Sequence, residues 1–83
     1  MAAETFNVTI TSPEKIIWKG RAESVSSKNT TGPFDILAGH ENFITMVQND
    51  PITIAGNGKA KTFQYENAVI TVLEGNVTIY ADI

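Results

Sequence analysis

The sequence contains no cysteine and only one histidine. Without cysteine, no disulfide can add the stability that small domains often take from cross-links. One histidine and no cysteine are also too few for a structural zinc site, which normally has four nitrogen or sulfur ligands. A chain of 83 residues buries only a small core. A bound partner is therefore the most economical source of further stability.

Basic residues are also few, with six lysines and arginines against nine acidic residues and a net charge of -3. Nucleic-acid binding domains usually present clustered basic residues, often interleaved with aromatic ones, and this pattern is missing here. No apolar run approaches the roughly 20 residues that are needed to cross a bilayer. We therefore expect no nucleic-acid partner, and membrane association only indirectly, through another protein.

What the sequence does have is a hydrophobic period of two. Apolar and polar residues alternate strictly in 6–11 and again in 76–81, which is the pattern of strands with one buried face. Shorter runs rich in β-branched and aromatic residues lie between them, at 16–18, 22–26, 34–37, 43–47, 52–55, 61–65 and 68–73. We predict an all-β fold without a long helix: an antiparallel sandwich or flattened barrel of about nine to ten short strands. Phe6, Val8 and Ile10 should share one buried face, and Val77 and Ile79 should also be buried.

Turn residues separate these runs. Asn57-Gly58 and Glu74-Gly75 can supply the positive φ angles of tight hairpins. Gly32 and Gly39 bracket the run at 34–37 and are interpreted as turn residues, because no glycine-rich phosphate-binding motif is present. The carboxylates are scattered singly. We therefore expect no cofactor, metal or nucleotide site.

His40 is the one residue that suggests chemistry. As a general base it would need a nucleophile and an orienting carboxylate, and the sequence has no G-x-S-x-G motif. The alternative is a loop histidine that donates a hydrogen bond to a nearby backbone carbonyl. A small hydrolase built around His40 and a stand-alone sandwich that binds carbohydrate or protein both stay open at this point. The carbohydrate hypothesis needs an exposed aromatic row, which only Trp18, Tyr65 and Tyr80 could form.

Three segments carry a more specific indication. They are Ser12-Pro13-Glu14-Lys15, the loop from Gly32 to His40, and Asn76-Val77-Thr78-Ile79-Tyr80-Ala81-Asp82. In order and spacing they resemble the S-P-E-x, G-x-x-G-I-L-P-G-H and N-V-T-V-x-A-D motifs of the N-terminal domain of the ATP synthase epsilon subunit. The resemblance extends from about Phe6 to Asp82.

The resemblance implies a β-sandwich of the rotor stalk in F-type ATP synthase, one that performs no chemistry itself. Such a domain docks on the gamma subunit and rests on the ring of c subunits, at the cytoplasmic face of the bacterial inner membrane. By position it places Ser12, His40 and Thr45 towards gamma, and we expect the exposed member of the pair Phe43 and Ile44 to share one surface with them. The turn formed by Thr31, Gly32 and Pro33 falls where the family meets the c ring.

The chain departs from the family pattern in places. Pro33 stands where an acidic residue is common, Asp35 replaces a usual small residue, and Ala38 replaces a usual proline. A charge-based contact with the c ring is therefore not expected at Pro33. Most bacterial members continue into a C-terminal helical hairpin that can inhibit the enzyme and, in some, bind ATP. The sequence stops before such a hairpin, so we predict a single sandwich domain, residues 1–83, without those two activities.

Overall fold

The computed structural model describes residues 4–83, which form nine strands and no helix. The strands are β1 (Phe6–Thr11), β2 (Ile16–Ala22), β3 (Ser24–Asn29), β4 (Gly32–Leu37), β5 (Phe43–Val47), β6 (Ile52–Gly56), β7 (Lys59–Phe63), β8 (Ala68–Leu73) and β9 (Asn76–Ala81). Within these residues no helix is long and apolar enough to cross a membrane. The prediction of an all-β domain without a long helix is confirmed.

The strands form two sheets that pack face to face as an open sandwich. One sheet has five strands in the order β2-β1-β9-β8-β5, and the other has four in the order β4-β3-β6-β7. The flattened-barrel alternative is wrong, because each sheet keeps two free edges. One pairing also departs from the antiparallel prediction: β1 and β9 run parallel, in register from Asn7 opposite Asn76 to Thr11 opposite Tyr80. The rest of the chain supplies the long connection that a parallel pair requires.

The core lies between the two sheets and consists of alternate residues from their inner faces. Phe6, Val8 and Ile10 of β1 are at most 5 % exposed, and Val77 and Ile79 of β9 are equally well buried. The prediction for both strands is confirmed. The other buried side chains are Ala22, Val25, Ile36, Val47, Ile52, Ile54, Ala68, Ile70, Val72 and Ala81. β-Branched residues dominate because they pack well on a pleated surface.

The second strand is longer than the sequence indicated. β2 continues through Lys19-Gly20-Arg21, and the chain crosses to the other sheet only at Glu23, whose N–H donates to the carbonyl of Ala55 at 2.8 Å. Gly20 interrupts the sequence pattern for a packing reason. A Cβ at this position would lie 2.8 Å from the Trp18 ring, so the glycine makes room for the indole rather than a turn.

Two hairpin turns follow the prediction. The φ angles are +56° and +72° at Asn57 and Gly58, and +48° and +81° at Glu74 and Gly75. Positive φ at both central residues is the geometry that matches the twist of the flanking strands. These turns connect β6 to β7 and β8 to β9, and they place the ends of the paired strands in register.

Candidate functional site

The two outer faces of the sandwich differ in chemistry. On the four-stranded sheet, polar side chains bond to one another: the Ser26 hydroxyl donates to Asp35 at 2.6 Å, and the hydroxyls of Thr53 and Thr62 lie 3.2 Å apart. Cross-strand pairs of this kind suit a face that meets water. The outer face of the four-stranded sheet therefore suits contact with solvent.

The outer face of the five-stranded sheet carries an apolar patch instead, formed by Ile44, Met46, Val69, Leu73 and Tyr80. Met46 stands opposite Val69 and Val69 opposite Tyr80, so the three form a row across β5, β8 and β9. Ile44 is 71 % exposed and Leu73 is 60 % exposed. Large apolar side chains gathered in this way mark contact surfaces more often than free surface.

An open groove of 670 Å³ lies on this face and shares Ile44, Leu73 and Tyr80 with the patch. It is lined by Asn42, Phe43, Ile44, Thr71, Val72, Leu73 and Tyr80. At one end the Asn42 side chain accepts a hydrogen bond from the N–H of Glu74 at 2.9 Å, which fixes the loop before β5 against the β8–β9 turn. The groove is mostly apolar and can accept a bulky side chain from a docked protein.

The pair Phe43 and Ile44 separates as strand alternation requires. Ile44 is the exposed member, whereas Phe43 turns inward and packs edge-on against Phe34, with ring centroids 5.7 Å apart. The ring of His40 lies 5.5 Å from that of Phe43. His40 and Phe43 thus occupy the rim of the sandwich beside the patch, and Ile44 lies within the patch.

His40 has the contacts of a loop histidine. Its Nδ1 donates to the carbonyl of Glu41 at 2.7 Å, and its backbone N–H donates to the carbonyl of Leu37 at 3.1 Å. These bonds orient the ring towards Phe43 rather than towards a reacting group.

Of the described side chains, Tyr65 has a raised pKa, caused first by its burial and second by the Asp82 carboxylate. Its phenol therefore stays neutral and serves in packing.

Thr45 and the predicted c-ring turn are linked by one side chain. Asn29 accepts hydrogen bonds from the N–H groups of Thr31 and Gly32, at 2.9 and 3.2 Å, and donates to the Thr45 hydroxyl at 3.0 Å. Gly32 has a φ of +133°, and Thr31 and Pro33 are exposed. The side chain of Asn29 thus holds the tip of the β3–β4 hairpin against the inner side of β5.

Ser12 lies at the other end of the five-stranded sheet from His40. It follows Thr11, which pairs with Tyr80 near the end of β9, and its hydroxyl accepts the N–H groups of Glu14 and Lys15. Tyr80 pairs with Val69 near the start of β8, whereas the start of β5, next to His40, pairs with the end of β8. The structure therefore does not gather Ser12, His40 and Thr45 on one surface. Ser12 and His40 lie at opposite ends of the sheet because β1 runs parallel to β9. Thr45 faces the inner side of the sheet, whereas its neighbour Ile44 faces outward.

Sequence reasoning missed Leu73 and Tyr80 as members of a surface. A signal was available in 68–73, which has apolar residues at positions of both parities, because both faces of one strand cannot enter the same core. Within residues 4–83, no three His, Asp or Glu side chains are grouped so that they could hold a metal ion.

Comparison with known proteins gives the arrangement a context. Residues 5–83 match the model of the β-sandwich domain of ATP synthase delta and epsilon chains. The ATP synthase epsilon chain of Clostridium novyi is 36 % identical over 81 residues, a match that covers 96 % of this chain and 62 % of the relative. That of Endomicrobium trichonymphae is 35 % identical over 77 residues, covering 93 % and 56 %. The chain thus spans about three-fifths of the length of these curated relatives.

Solved structures show the same fold at lower identity. A chain of the Euglena gracilis mitochondrial ATP synthase (OSCP/F1/c-ring) superposes with a TM-score of 0.85 at 18 % identity, covering 98 % of this chain and 52 % of that one. A chain of the Tetrahymena thermophila mitochondrial ATP synthase (central stalk/c-ring) gives 0.80 at 13 % identity, covering 100 % and 67 %. The family model matches nearly the whole chain, and the sandwich is the one its description names. The chain therefore belongs to the family of ATP synthase delta/epsilon β-sandwich domains.

Proposed function

We propose that this domain is part of the rotor stalk of an F-type ATP synthase, where it links the gamma subunit to the c ring during proton-driven ATP synthesis. It performs no chemistry itself. The observation that carries the proposal is the family match over residues 5–83. Two solved structures with this fold come from assemblies described by their F1, central-stalk and c-ring parts, which supports the same role.

The apolar patch is the proposed docking surface for gamma. Ile44 is its most exposed member, and His40 and Phe43 adjoin it at the rim of the sandwich. A protein interface needs a desolvated apolar centre with polar groups around it. Here Asn42 and Thr71 border the patch along the groove. Ser12 and Thr45 lie outside this surface, and a gamma contact at either one would need a second region of the partner.

The tip of the β3–β4 hairpin, with Thr31, Gly32 and Pro33, is the proposed contact with the c ring. The three residues carry no charge, so this contact would rest on shape and backbone hydrogen bonds. In such an assembly the domain would be peripheral, at the cytoplasmic face of a bacterial inner membrane, and would reach the membrane only through the c ring.

Two matched leucines allow the gamma proposal to be tested. Leu73 belongs to the patch and is 60 % exposed, while Leu37 is 57 % exposed on the outer face of the other sheet. We expect Leu73→Ser to weaken binding of the purified gamma subunit about tenfold, as for an interface anchor worth about 1.4 kcal/mol. Leu37→Ser should leave binding unchanged. Isothermal titration calorimetry on both variants measures the difference. Equal affinities for the two variants would exclude the patch as the docking surface.

No observation favours the carbohydrate-binding alternative. Trp18 pairs with the buried Ile10 and packs against Phe63, whereas Tyr80 faces outward on the same sheet. Tyr65 is partly buried against the core. The three aromatic side chains therefore do not form one exposed row. The hydrolase alternative has no better support, because the ring of His40 contacts the Glu41 carbonyl and the Phe43 ring.

A further inference from the structure

A second groove lies on the opposite side of the sandwich from β5, where the edge strands β2 and β7 of the two sheets meet. It has a volume of 160 Å³ and is lined by Trp18, Arg21, Ile54, Gly56, Lys59 and Lys61. Half of the six basic residues of the chain line it, and none of its nine acidic residues does. In a protein with a net charge of -3, this concentration of positive charge is local.

Uncharged groups hold the guanidinium of Arg21 in place. Arg21 donates from Nε to the Thr5 hydroxyl at 2.9 Å, from Nη1 to the Asn7 side chain at 2.9 Å, and from Nη2 to the Thr5 carbonyl at 3.0 Å. These three acceptors carry no charge, and they hold the guanidinium in one orientation. Asn7 lies on the outer face of the five-stranded sheet, so Arg21 borders the groove from that side, and the charge inside the groove comes from Lys59 and Lys61.

Trp18 forms the floor of this groove. Its indole lies against Gly20 and packs on Phe63 with ring centroids 6.2 Å apart, while the Lys61 ammonium stands 5.8 Å from its centroid. Phe63 and Lys61 thus both crowd the indole, which hinders the stacking of a nucleic-acid base on it. A polyanion that binds through stacked bases does not fit this groove.

We propose that the groove binds one carboxylate side chain of an extended acidic protein segment that lies along β7. The volume is below the roughly 300 Å³ of small-ligand pockets and suits a single side chain. Within residues 4–83, β7 is the last strand of its sheet, so one edge of its backbone can pair with an added strand. Lys59 and Lys61 supply the charge complementarity, and Arg21 adds positive charge at the border of the groove. This surface is separate from the apolar patch, so it can be occupied independently of gamma.

The sole tryptophan reports directly on the groove. The 83-residue protein is titrated with a short capped peptide that alternates Glu and Thr, which places every carboxylate on one face of a strand. The same peptide with Gln in place of Glu is the neutral probe. We expect a saturable change in Trp18 emission with the acidic peptide alone, at an ionic strength of about 0.01 M, and weaker binding at about 0.1 M because the Debye length falls from about 30 to about 10 Å.

Charge reversal tests which lysines carry the binding. The double variant Lys59→Glu, Lys61→Glu should weaken the peptide about tenfold or more, because two attractive contacts become repulsive. Lys28→Glu makes the same kind of change near the tip of the β3–β4 hairpin, opposite Pro33, and should have no more than a twofold effect. Lys59→Glu alone serves if the double variant fails to give the β-sheet circular dichroism of the parent.

Three results would overturn the proposal. An equal loss with Lys28→Glu would mean diffuse charge attraction without a site. The absence of a saturable change in the parent would mean that the lysines only protect the β7 edge from strand pairing between molecules. Displacement of the peptide by a single-stranded oligonucleotide of equal charge, at lower concentration, would assign the groove to nucleic acid.

Discussion

Ile79 and Ile16 are both isoleucines in strands of the five-stranded sheet, but Ile79 is buried and Ile16 is exposed to solvent. Ile79 is 0 % exposed in β9, between β1 and β8, and Ile16 is 60 % exposed in the edge strand β2. We expect Ile79→Ala to lower the free energy of unfolding by about 2–4 kcal/mol, because it removes buried methyl groups and leaves a cavity. Ile16→Ala should change it by less than about 0.5 kcal/mol.

Urea denaturation followed by circular dichroism measures both variants. A domain of this size has a total stability of about 5 kcal/mol, so Ile79→Ala brings the protein close to unfolding at ambient temperature. Similar losses in the two variants would show that the sheets do not pack as described.

At the scale of an element, the β3–β4 hairpin depends on Asn29. Asn29→Ala removes two bonds within the turn and the one to Thr45 across the sheets, while Thr45→Val removes only the last. We expect losses of about 2 kcal/mol and about 1 kcal/mol respectively, since each such bond contributes about 0.5–1.5 kcal/mol net. Faster amide exchange at Thr31 and Gly32 should appear in Asn29→Ala alone. Equal effects of the two variants would mean that the turn bonds contribute nothing.

Individual strands could be predicted from the sequence where alternation is regular. Residues 6–11 and 76–81 match β1 and β9 because each of them faces the core on one side only. The predicted run at 16–18 covers only the start of β2, because Gly20 interrupts the pattern of apolar and β-branched residues and no local pattern shows that an indole lies over it. The order of strands was not predictable, since it depends on pairings between residues that are distant in the chain.

The candidate site was also predictable only where local alternation decides the position of a side chain. The exposure of one residue of Phe43 and Ile44 could be inferred from alternation alone, but the neighbours of Ile44 could not. Leu73 and Tyr80 reach it only through the pairing of β5 with β8 and of β8 with β9. The resemblance to the epsilon family also predicted one surface for Ser12 and His40. The parallel pairing of β1 with β9 separates them, and this pairing cannot be inferred from the local sequence.

At the scale of the whole molecule, strands at the centre of a sheet are better protected from solvent exchange than strands at an edge. β9 is flanked by β1 and β8, and β7 borders only β6. We expect backbone amides of β9 to exchange with solvent at least about 100-fold more slowly than those of β7, because edge strands open locally and central strands open only with the fold. Hydrogen exchange read by NMR measures this. Uniform exchange in the two strands would contradict the sheet order.

The pairing of β1 with β9 has a consequence for how the protein is made. β1 is synthesised first, but the strand that covers its second edge comes more than sixty residues later. At translation rates of about 5–20 residues per second, the nascent chain carries β1 with that edge unpaired for about 3–13 s. The five-stranded sheet can be completed only when β9 has left the ribosome, so we expect the domain to fold after β9 has been synthesised and not before.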